Sequence, residues 1–254
     1  MKAIFICLGL GLCLATAPFA NATMVDFTTG TSHDGTMGNS LCYNSSGASM
    51  NCNGSQFLTV TAWGVTGNGG TTLAAGALGN YAGSNLGLGV CNAVEGNDCS
   101  APNHEVDNSG HLDFVLFQFS STVTSASVVL NPVCNCGFTD STFYTGNLTG
   151  TISGKSLASL GTVGLSGPTS QTGGNSQQNV SITGISGGVT SILIGADINP
   201  NAPHYQDDFF KIGSLTYSTG SGVPEPSSLT SLGLGLGLLG WFGRRKIAKG
   251  ISRS

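Results

Sequence analysis

The stretch 114–119, Phe-Val-Leu-Phe-Gln-Phe, constrains the fold more than any other part of this chain of 254 residues. Three phenylalanines and a valine in six residues suit a pleated, buried surface, and six residues is strand length. The stretch predicts a central β-strand in the core. Segment 57–63 reads the same way: Phe57, Thr59, Thr61 and Trp63 fall on one face and Leu58, Val60 and Ala62 on the other, so both faces can be buried. Segments 189–196 and 209–217 are further strands, the second with Phe210, Ile212, Ser214 and Thr216 facing one way. Shorter strands are expected at 23–29, 85–91, 127–130, 141–144 and 150–153. Segment 31–53 is turn-rich, and 67–83 is a Gly-rich loop or a weak strand near 71–75. Segment 156–181 is low-complexity Gly/Ser/Thr/Gln sequence, read as loops around weak strands near 160–165 and 180–182.

Both ends of the chain are apolar with basic flanks. Met1-Lys2 precedes the apolar stretch 3–14, and Ala20-Asn21-Ala22 has the small residues of a signal-peptidase site. Residues 1–22 therefore read as a signal peptide, with Thr23 the first mature residue. At the other end Val223-Pro224-Glu225-Pro226 precedes an uncharged Leu- and Gly-rich helix at 227–243 and then the basic cluster Arg244-Arg245-Lys246. Crossing a bilayer takes about 20 apolar residues, with about 17 the lower limit, so this helix is a marginal anchor suited to a transient stop in the inner membrane. The basic cluster stays on the cytoplasmic side, which places the body outside.

In that order these three parts resemble the PEP-CTERM sorting signal of bacteria that have exosortases. The resemblance covers 223–249, with 218–222 a spacer before it and 250–254 a short tail beyond. It implies exosortase as a processing partner beside signal peptidase, cleavage near Pro224-Glu225-Pro226, and delivery to the cell surface or an exopolysaccharide matrix.

Between the two signals the composition excludes several classes. Residues 23–222 hold eleven acidic side chains and only two basic ones, Lys155 and Lys211, for a net charge of −9. A body this acidic repels nucleic acid and anionic membranes, whose phosphates are bound by Lys and Arg. Scarcity of Glu, Lys and Arg also removes the residues that populate exposed helix faces. The body, 23–217, is therefore expected to be all-β: a single jelly-roll-like β-sandwich with disulfide-bonded loops. The succession Gly87-Leu88-Gly89-Val90, a cysteine loop with Glu95, then His104, Asp107-Asn108, Asp113 and the Phe-rich strand resembles the Gly-rich β-sandwich cargo common among exosortase substrates.

Six cysteines lie in the body: Cys42, Cys52, Cys91, Cys99, Cys134 and Cys136. An even number in an exported chain points to disulfides. Local pairs Cys42 with Cys52 and Cys91 with Cys99 are favoured, leaving Cys134 and Cys136 to pair with each other or remain thiols. The densest acidic stretch is Glu95 to Asp113, with Asp207 and Asp208 ahead of the last strand. Irregular Asp/Asn loops can supply the six to eight oxygens that calcium takes. Glu95, Asp107, Asp113 and Asp208 are accordingly the candidate ligands of a structural calcium, set against their ordinary role as turn formers. No other cofactor is expected.

Catalytic motifs are weak. Gly184-Ile185-Ser186-Gly187-Gly188 matches a nucleophile elbow in letters, but a strand rather than a helix follows it. Glu105 with Asp107 would serve a glycoside hydrolase only if held in a cleft at a suitable separation. The sequence favours an exported non-catalytic protein with a structural or adhesive role. A calcium-dependent carbohydrate-binding module and a glycoside hydrolase with dispersed carboxylates are the alternatives.

Overall fold

The computed structural model describes residues 22–30, 35–65, 71–81, 87–94, 104–133 and 137–220. The strands in chain order are β1 (Ala22–Asp26), β2 (Ser40–Tyr43), β3 (Ser49–Met50), β4 (Leu58–Val65), β5 (Leu73–Ala75), β6 (Ala77–Tyr81) and β7 (Gly87–Cys91). They continue with β8 (Val106–Asp107), β9 (Asp113–Pro132), β10 (Ser141–Gly146), β11 (Leu165–Gln171), β12 (Gln178–Ile182), β13 (Val189–Ala196) and β14 (Phe209–Thr219). One 3-10 helix, η1 (Leu157–Val163), lies between β10 and β11. The described body is mostly β-sheet, as its composition requires.

The Phe-rich stretch sits inside β9, which runs for 20 residues and joins two ladders. Its first part lies between β4 and β13, with Phe117 opposite both Val60 and Ile192. Its second part lies between β12 and β14, with Val128 opposite both Val180 and Leu215. Core-facing positions are odd at Val115, Phe117, Phe119 and Val123 and even at Ala126, Val128 and Leu130. A strand keeps one parity unless it is interrupted. The switch falls at 123–126, beside a register shift in the pairing with β14 between Ser218 and Thr219. A strand that bends this way can serve both ladders.

Side chains from the two ladders meet in one core. Phe57, which leads into β4, stacks on Tyr217 of β14 with ring centroids 5.3 Å apart, and Phe119 meets the same ring edge-on at 5.2 Å. Phe27, just after β1, stacks on Phe117 at 6.1 Å. Offset and edge-on aromatic pairs of this kind add to the free energy of burial itself. On the far face of β4, β9 and β13 a second cluster gathers Phe114, Leu116, Tyr144 and Leu193 under Leu160 and Val163 of η1. Both faces of β4 are thus covered, with Leu58, Val60 and Ala62 inward and Thr59, Thr61 and Trp63 half-buried outward. Phe57 departs from the expected face because it precedes the strand and turns into the main core.

Several other expectations are corrected. Segments 114–119 and 127–130, read as two strands, are one. Segment 150–153 is a turn rather than a strand, although Ile152 is buried. Near 160–165 the chain forms η1 instead of a strand, because Leu157, Leu160 and Val163 at a spacing of three all reach the same apolar face. The low-complexity region also holds β11, an edge strand that carries Pro168, which an edge tolerates because one side of the ladder needs no donor. The turn-rich segment 31–53 contains the β2–β3 hairpin. In β14 the inward residues are Phe210 and Ile212 but then Leu215 and Tyr217, since a register shift between Ile212 and Ser214 reverses the parity. Ser218 and Thr219, expected in the spacer, belong to β14.

Candidate functional site

Asp140, Asp197 and Asp208 each stand at a strand end: just before β10, just after β13 and just before β14. β10 and β13 are antiparallel neighbours with Ser141 opposite Ala196, and the Asp197 N–H donates to the Asp140 carbonyl at 3.2 Å. Phe138 bridges Asp208 in parallel, which brings the start of β14 to the same place. The three side chains are 1 %, 4 % and 0 % exposed, values that leave them almost no bulk water.

Asn108, directly after β8, ties the group together. Its Nδ2 donates to the Asp197 carbonyl at 2.9 Å and to Asp208 Oδ2 at 2.7 Å, while its Oδ1 accepts from the Asp208 N–H at 3.2 Å. Asp197 Oδ1 accepts from the hydroxyls of Thr142 and Ser170, each at 2.8 Å, and from the Asn199 N–H at 3.3 Å. Asp140 Oδ1 accepts from the Gly173 N–H. Asp140 Oδ2 and Asp208 Oδ1 are buried and have no hydrogen-bond partner. Burial pushes the Asp208 carboxyl up to about 7, reinforced by the charge of Asp140 and more weakly by Asp197, against the lowering effect of Asn108 and the Asp140 main-chain N–H.

The expected calcium ligands do not come together as a set. Asp113 accepts from Asn92 Nδ2 at 2.9 Å. Asp107 accepts from the Ser109 N–H at 3.0 Å, closing a local turn. Asp208 alone of the four lies in the buried cluster, and Glu95 is outside the described residues. Asp140 and Asp197 were missed because each is a single acid in an otherwise neutral sequence. The signal that could have found them is an Asp abutting a strong strand on its flank, repeated at three strands. Among the described residues no group of three His, Cys, Asp or Glu side chains is arranged to hold a metal ion.

A second buried polar group surrounds Lys211, which is 0 % exposed. Its ammonium lies 3.9 Å from the centre of the Tyr81 ring. The β8–β14 pairing, Phe210 opposite Val106, brings Glu105 across from Lys211. Burial pulls the Lys211 ammonium down to about 8, and the charge of Glu105 opposes that fall. Glu105 and Asp107, the carboxylates considered for glycoside hydrolysis, are therefore engaged with Lys211 and with a turn respectively.

Cys42 and Cys52 form the expected disulfide, closing the β2–β3 hairpin with Cα atoms 5.3 Å apart. Cys91 is also disulfide-bonded. Cys99, Cys134 and Cys136 fall outside the described residues. Of the expected signal-cleavage residues, Ala22 and Thr23 pair with Ser218 and Tyr217 in the β1–β14 ladder, and Ala20 is not among the described residues. The sorting residues Val223, Pro224, Glu225, Pro226, Arg244, Arg245 and Lys246 and the apolar run 227–243 also lie outside them. No helix among the described residues is long and apolar enough to cross a membrane.

The tail is decided by comparison with known families. Residues 222–246 match the PEP-CTERM protein-sorting motif. The PEP-CTERM motif implies an exported protein that exosortase processes and that passes through the membrane to the cell surface. No curated protein and no solved structure matches the chain.

Proposed function

We propose that the chain is a non-catalytic cargo protein, a jelly-roll-like β-sandwich whose role at the cell surface or in an exopolysaccharide matrix is structural or adhesive. The PEP-CTERM match at 222–246 carries this reading, because it supplies the destination without supplying a chemistry. The body supports it in kind. Phe57, Phe119 and Tyr217 are spent on packing between the ladders, and the buried Asp197 is tied to the hydroxyls of Thr142 and Ser170. Exopolysaccharide is the proposed partner, with the inner membrane a stage in transit.

Replacing Glu225 by Ala in the producing cell tests the route. The processed protein should be replaced by a longer, membrane-held form, seen as a higher mass; an unchanged mass would contradict processing at this motif. Retention of the wild-type processed protein on the producer's own exopolysaccharide tests the role. Elution with the void in both calcium and chelator would remove the adhesive part of the reading.

A further inference from the structure

The two unpartnered carboxylate oxygens stand in the same buried cluster, and the groups acting on Asp208 are carboxylates and hydrogen-bond donors with no lysine among them. Burying carboxylates without a countercharge is costly, and such groups are normally paired, protonated or bound to a cation. The body offers only Lys155 and Lys211 as strong bases, and Lys211 is engaged with Glu105 and the Tyr81 ring. Three carboxylates gathered at one end of the sheet thus have hydrogen-bond donors but no cationic partner among the described residues.

We infer that Asp140 and Asp208 form a binding site for a hard divalent cation, calcium in the first instance, held through Asp140 Oδ2 and Asp208 Oδ1. Among the described residues the free donors of the cluster are all oxygens and no cysteine or imidazole belongs to it, which selects calcium or magnesium over zinc or copper. Asp197 contributes charge, its Oδ1 being taken by Thr142, Ser170 and the Asn199 N–H and neither of its oxygens being buried without a partner. That division fits the lack, among the described residues, of any group of three carboxylates arranged to hold a metal ion. Asn108 positions the site by holding Asp208 Oδ2 and the Asp197 carbonyl from β8. A cation here would join the ends of β10, β13 and β14 to the segment after β8. With two carboxylates as ligands the affinity belongs in the class of extracellular modules, about 10⁻⁴ to 10⁻³ M. The site does not depend on the structural or adhesive reading, since a cargo protein of any role could carry it.

The test uses the full-length chain in detergent, stripped with chelator and titrated with calcium alone and magnesium alone at neutral pH. Wild type should bind one calcium saturably and melt at a higher temperature with it. Asp140→Asn and Asp208→Asn should each lower the affinity at least tenfold, whereas Asp26→Asn, whose carboxylate only caps Thr28, should leave it unchanged. Should either Asn variant fail to fold, amide exchange on wild type decides: calcium should protect 138–142, 196–199 and 206–210 while leaving the β2–β3 hairpin as it was. Absence of saturable binding by wild type overturns the inference. So does binding that survives in both Asn variants, or protection spread evenly over the sheet.

Discussion

Lys211 is the residue whose energetics are most exposed to test. Its ammonium titrates near 8 in the folded chain and near 10.5 when unfolded. Between those values the unfolded chain holds a proton that the folded one has released, so stability rises with pH across that window, and the cost of burying the charge is full below it. The gain is at most about 3 kcal/mol, less what solvent screening removes. Urea denaturation from pH 8 to 9.5 should show the rise in wild type and lose it in Lys211→Met. At pH 7 that single change relieves the cost of burying the ammonium but leaves Glu105 without its countercharge, so adding Glu105→Gln should raise the stability above that of Lys211→Met alone. Sequence made Lys211 visible as one of two bases but could not show it buried. Such residues depend on partners from other strands, here Tyr81 and Glu105. Gly89 has the same character. A Cβ there would collide with the His104 carbonyl, a contact with no trace in the Gly-Leu-Gly-Val pattern.

At the scale of elements, alternation and β-branched content were enough to locate the strong strands. Segment 189–196 coincides with β13, and 57–63 and 209–217 lie within a residue or two of β4 and β14. Parity was less legible. Ile212 and Leu215 both face the core only because the ladder shifts register between them, and a bulge is a property of the pair of strands rather than of one. The helix η1 was hidden for a related reason. Its Leu157, Leu160 and Val163 read equally as a weak strand until the second face of the sheet needs a cover. That cover should be energetically substantial. Leu160→Ala, at a side chain 0 % exposed, is expected to cost about 3 kcal/mol in chemical denaturation, and a cost below 1 would mean that η1 is dispensable. The buried carboxylates belong to this scale as well, since Asp140, Asp197 and Asp208 become neighbours only once three strand ends are aligned.

For the whole molecule, destination was written in a contiguous stretch of sequence, and the body's inner chemistry was not. A sorting signal is read in order by other proteins, so residues 222–246 keep their meaning as a string. A buried cluster draws Asn108 and Asp208 together across 100 positions. The disulfide lies between these cases, because Cys42 and Cys52 are only 10 apart and close a hairpin. Linking so short a loop restricts the unfolded chain modestly, by about 3 kcal/mol. Cys42→Ser with Cys52→Ser should lower the melting temperature accordingly, and an unchanged melting curve would show that the hairpin holds without its staple. A different consequence follows from the way the sheet closes. β1 and β14 run antiparallel with Ala22 opposite Ser218, so the chain enters and leaves the body side by side. Tension applied between the two ends would peel that ladder apart one hydrogen-bonded pair at a time, a weak mode of loading. A body gripped by its surroundings and pulled from the C-terminal end alone would instead load β14 along its length against β9, where many pairs must slip together. Mechanically, the fold is suited to being held by one end.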